Sequence, residues 1–139
     1  MNNRWLCAGL IGISALGLFA LPALAHHSFA MFDQHKIVTI EGTVREFQWT
    51  NPHSFLEVEV PARSGPPVHW SIELNSPNNL KRQGWTRSSL KTGDSLTLRL
   101  NPLRSGQRGG LFLDARLSNG HVLDSGLPKD GTPVNVPRA

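Results

Sequence analysis

The chain has 139 residues, a formal net charge of +4, one cysteine and no tyrosine. That length holds one small domain. The positive charge is mild and scattered, so basic residues such as Lys81, Arg82 and Arg87 read as a solvated face and not as a nucleic-acid footprint.

Residues 1–25 read as an export signal. Arg4 supplies the charged start, "WLCAGLIGISALGLFALP" is an uncharged apolar run, and Ala23-Leu24-Ala25 supplies the small residues of a cleavage site. The run is about long enough to span a bilayer, but Pro22 breaks it and no positively charged stop follows. The expectation is cleavage after Ala25 and a periplasmic protein that starts at His26. Cys7 leaves with the signal, so no disulfide is available even in a compartment that permits one. The rest divides into one domain over residues 26–123 and a Pro/Gly-rich, flexible C-terminal tail over residues 124–139.

Within the domain, "IVTIEGTVREF" (37–47) alternates as a half-buried strand, with Val38, Ile40 and Val44 inward. Gly42 interrupts its apolar face, which implies a bend, a bulge or a close backbone approach. "QWTNPHS" is a turn on Asn51-Pro52. "FLEVEV" (55–60) and "VHWSIEL" (68–74) follow as strands. Ser76 as N-cap, Pro77 at the first helical position and Gly84 as stop predict one short helix. "SLTLRL" (95–100) and "LFLDARL" (111–117) are the last main strands, the latter with Leu111, Leu113, Ala115 and Leu117 inward. The glycine-rich "NPLRSGQRGG" between them reads as a mobile hairpin loop. Asn119-Gly120 marks a tight turn into a short return strand "HVLD". Three strands, a short helix and two strands predict an all-β domain with one helix: a small, OB-fold-like, five-stranded antiparallel Greek-key barrel. Another small antiparallel barrel or sandwich has the same element order.

Two sets of residues could carry function. A histidine at a free N-terminus offers its amine and ring to one metal ion. Those nitrogens suit a divalent ion, copper foremost. His26 would fill that role beside His27, with His53 or His69 as a third ligand. Cleavage one residue earlier would instead place a histidine third in the chain, a pattern that binds Cu(II) or Ni(II) through backbone amides. The second set is the face around Trp49, Asn51, His53 and Glu73, where a periplasmic protein or a small ligand could dock. The competing structural reading has Trp49 covering the core, Asn51-Pro52 making the turn and His53 bonding backbone. No cysteine nucleophile remains after cleavage and no serine lies in a nucleophile-elbow context. A monomeric binding module is therefore expected, not an enzyme, and nucleic acid is not an expected partner.

The blocks "ALAHHSF", "EGTV", "FQWTNPH", "GW" and "LKTGD" together resemble a family of small exported bacterial proteins of unknown function, over residues from His26 to about Leu123. The resemblance implies a periplasmic single domain and assigns no activity to any residue.

Overall fold

The structure, a computed structural model, describes residues 27–135. After a single helical turn, α1 (His27–Ala30), the chain runs through β1 (Lys36–Gln48), β2 (Phe55–Val60), β3 (Val68–Glu73), helix α2 (Pro77–Arg82), β4 (Ser95–Pro102), β5 (Gly109–Leu117), β6 (Val122–Asp124) and β7 (Thr132–Val134).

β1 is long because it serves three neighbours, β2, β4 and, at its start, β7. Residues 38–43 pair antiparallel with β4, and residues 43–48 pair antiparallel with β2 across a register shift between Val44 and Glu46. The change of partner falls beside Gly42. A Cβ there would lie 2.6 Å from the Glu59 carbonyl oxygen and 2.6 Å from Val58 Cγ1. The close approach expected of this glycine is therefore the condition for β2 to leave β1 where it does.

The expected five-stranded, all-antiparallel OB-like barrel is corrected by the strand pairings. The structure is one seven-stranded mixed sheet, in the order β2-β3-β5-β4-β1-β7, with β6 on the flank of β5 and the additional β2–β1 pairing. β3 and β5 run parallel, as do β1 and β7. The first parallel pairing exists because Gly109 and Gly110 are strand residues and not loop. They face Ser71 and Ile72, and a Cβ on Gly109 would stand 2.7 Å from the Ser71 carbonyl oxygen. Absent side chains let the two backbones meet. The second uses part of the segment expected to be a flexible tail. Thr132 N–H donates to the His35 carbonyl at 2.8 Å, and residues 132–134 then continue beside β1.

The core follows the alternation of β1 to β4. Val38, Ile40 and Val44, then Leu56 and Val58, then Trp70 and Ile72, and finally Leu96, Leu98 and Leu100 are buried together. β5 departs from its expected phase. A register shift opposite Arg99 and Leu100 pairs Asp114 with Arg99 but Phe112 with Leu100. The extra residue is a β-bulge, and it inverts the faces on its far side. Phe112 therefore enters the main core cluster, and Leu111 and Leu113 are buried outside it. α2 forms as its signals dictate. Ser76 Oγ accepts from Asn79 N–H at 3.4 Å, Pro77 opens the helix and Leu80 is its buried anchor. Gly84, with φ +86°, takes the left-handed position after the last turn.

Candidate ligand-binding site

The turn after β1 is held by a few specific bonds. Thr50 Oγ1 donates to the His53 carbonyl at 2.9 Å, and the Asn51–Pro52 peptide is cis. Ser54 N–H donates to the Asn75 carbonyl at 3.2 Å, and Leu74 N–H donates to the Ser54 carbonyl at 2.8 Å. These bonds carry the β2–β3 pairing one step past Phe55 and Glu73, which sets His53 beside Glu73. His53 Nδ1 and Glu73 Oε1 form a close hydrogen bond. The carboxylate side chain is 13% exposed and the imidazole 34% exposed. Glu73 is thus the half-buried anchor, and the ring it holds keeps an edge toward solvent.

This pair stands on the wall of a cavity of about 770 Å³. Leu74, Leu80, Leu111 and Phe112, all buried, form its floor. Phe55 and Leu127 line its half-buried sides, and Phe29, 46% exposed, overhangs it. Thr50, Asn51, His53, Glu73 and Asn75 gather polar groups on it. The Leu127 wall comes from the segment expected to be a flexible tail, and it is bonded down. Gln83 Nε2 donates to the Ser125 carbonyl at 2.7 Å and Trp85 Nε1 to the Asp124 carbonyl at 3.0 Å. Leu127 N–H donates to Ser125 Oγ at 3.1 Å. Burial pushes the Asp124 carboxyl up, but the Lys129 ammonium and the Gly126 N–H outweigh it and hold it below the usual carboxylate range.

Of the residues expected to form a docking face, Asn51, His53 and Glu73 line this cavity and Trp49 does not. Trp49 is 8% exposed and belongs to the core. Its ring meets Phe47 edge-on at 5.6 Å, Phe47 lies 6.1 Å from Trp85, and Trp85 meets Phe112 at 5.3 Å. Trp49 thus touches the cavity only through a chain of aromatic contacts that ends at Phe112 on its floor. Sequence reading missed Phe29, Phe55, Asn75, Leu111 and Leu127. Phe29 sits within the "HHSF" block, whereas nothing in the Pro/Gly-rich "GLPKDG" announces a wall residue.

The candidate metal ligands do not converge among the described residues. His26 and the side chain of His27 lie outside them. His69 is on the outer face of β3, its Nε2 2.7 Å from Glu57 Oε2, while Ser71 Oγ donates to Glu57 Oε1 at 2.9 Å. His69 and Glu73 are four residues apart on one strand, about 13 Å at the usual rise, so the two histidine–carboxylate pairs are separate. No three His, Cys, Asp or Glu groups among the described residues come together as a metal site.

His69 lines a different cavity, of about 840 Å³, with Trp70, Leu103, Arg108 and Val134.

No curated protein and no solved structure matches the chain. The model of one family of unknown function, DUF6152, matches residues 15–113.

Proposed function

The chain belongs to that family of unknown function, and from that premise we propose that it is a binding module for a small, mainly apolar ligand with a hydrogen-bonding end. The cavity beside His53 and Glu73 carries the reading. Its volume is in the range of ligand pockets, its floor is apolar, and a few fixed polar groups converge on one side. The apolar body of a ligand would rest on Leu111, Phe112 and Leu127. Its polar end would meet Asn51 and the free edge of the His53 ring. Glu73 does not need to touch the ligand; it holds the ring that does.

The aromatic chain from Trp49 to Phe112 supports a rigid floor, and a rigid floor spares the entropic cost of forming a pocket on binding. A folded domain exported to the periplasm, as the N-terminal segment implies, would present this cavity without further assembly. The test uses an anilinonaphthalene sulfonate dye, which joins an apolar double ring to a polar head. Saturable one-to-one binding that is abolished by Leu127→Trp, a substitution that fills the cavity from its half-exposed wall, is the expected result. Equal binding by the filled variant, at unchanged thermal stability, would overturn it.

A further inference from the structure

We propose that this cavity selects a ligand whose polar end is a neutral hydroxyl, as in a phenol or an alcohol, and discriminates against the corresponding acid. The proposal rests on the binding reading above and names the chemical class of its ligand. The first support is the place of the proton on His53. Glu73 Oε1 takes Nδ1, and a carboxylate only accepts hydrogen bonds. Nδ1 therefore carries the ring's proton, and in the neutral imidazole Nε2 is left as an acceptor. The ring lines the cavity and keeps an exposed edge. That edge calls for a donor on the ligand, and a hydroxyl supplies one.

The second support is the charge around the cavity. The described residues that line it include no lysine and no arginine, and the acidic residue among them is Glu73. An anionic head would lie near that carboxylate with no cation to meet it, above a floor of Leu74, Leu80, Leu111 and Phe112. A charge set against an apolar wall without a partner is costly. Asn51 and Asn75 offer neutral amides, which can donate to a hydroxyl oxygen but do not offset a full charge. A hydroxyl uses both kinds of group, since it donates and accepts at one atom. The dye named above fills the cavity with its double ring, and its sulfonate is not the end this site selects.

The size of the effect follows from exposure. The His53 side chain is 34% exposed, so water replaces a missing ligand donor at Nε2 and the discrimination is moderate. An apolar pocket without an aimed acceptor favours a methyl ether over the matching phenol, because the ether has less polar surface to strip of water. A preference for the phenol is therefore the signature of the His53 edge.

The experiment is a set of calorimetric titrations at about pH 8 with para-butylphenol, para-butylanisole and para-butylbenzoate, which share one apolar body and differ at the polar end. Expected is one-to-one binding of the phenol, about three- to ten-fold tighter than the anisole and about ten-fold or more tighter than the benzoate. Leu127→Trp blocks all three, and His53→Phe removes the advantage of the phenol over the anisole. Nitrogen-15 resonance of the imidazole in the unaltered protein keeps the proposal testable if His53→Phe does not fold: the proton is expected on Nδ1, with Nε2 shifting as phenol is added. Anisole or benzoate binding as tightly as the phenol, with Leu127→Trp still blocking each, would overturn this assignment and leave the cavity reading standing. A ring proton found on Nε2 would do the same. Failure of all three to bind, or equal binding by the filled variant, would overturn both.

Discussion

His53 is oriented by its own neighbours before any ligand arrives. Thr50 fixes its carbonyl, Ser54 carries the β-pairing past it, and Glu73 takes its Nδ1. Removing that carboxylate should release the ring without disturbing the sheet. Glu73→Gln is expected to weaken dye binding several-fold while circular dichroism stays the same, and unchanged affinity would show that the pair is only structural. Ser54 offers a different check. It is fully buried, and its Oγ has no partner among the described residues. An unsatisfied buried hydroxyl costs stability, so Ser54→Ala should raise unfolding stability by about 1 kcal/mol in a urea titration. Turn chemistry places Asn51 and His53 together on one loop in the sequence, and in the structure both line the cavity. Trp49, next to that loop, lies in the core, as the structural reading of its sequence has it, and does not line the cavity.

Among the elements, β1 depends most on one residue. Gly42→Ala would press a methyl group into the Glu59 carbonyl and Val58, and a clash with backbone cannot be relieved by a rotamer change. A loss of about 1–3 kcal/mol is expected, read as a lower thermal midpoint. β1 to β4 were legible in the sequence, since each alternates on a period of two. β5 was legible as a strand but not in phase, because a bulge leaves no mark on composition and reverses every side chain beyond it. β7 and the Leu127 wall escaped because their contacts are distant in sequence: β1 for one, Gln83 and Trp85 of the α2 region for the other. That wall also has a pH signature. The Asp124 carboxyl is held below its ordinary range in the folded protein, so the unfolded chain binds more protons across that interval. Its contribution is present above the unfolded carboxylate value of about 3.9 and is lost as pH falls through the lower folded value. Asp124→Asn should flatten the decline in thermal midpoint as pH falls below about 4; an equally steep decline would count against the tie to Lys129.

At the scale of the whole fold, two of the cavities among the described residues each have a histidine–carboxylate pair beside them. Sequence reading leaves His53 and His69 as alternatives for a third metal ligand; the sheet separates them, and the cavity that Phe29 lines includes His53 and not His69. The β4–β5 ladder runs on through the pairs Asn101–Leu111 and Pro102–Gly110, and Gly109 pairs with Ser71, so part of an expected loop is sheet. The cavity lined by Leu111 and Phe112 is the proposed binding site. The most direct measurement is a nuclear magnetic resonance titration of isotope-labelled protein with the anilinonaphthalene sulfonate dye. The resonances of His53, Phe55, Leu111 and Leu127 are predicted to shift along one saturable curve while those of His69 and Arg108 stay fixed. Shifts centred on His69 and Arg108, or shifts spread over the surface without saturation, would contradict it.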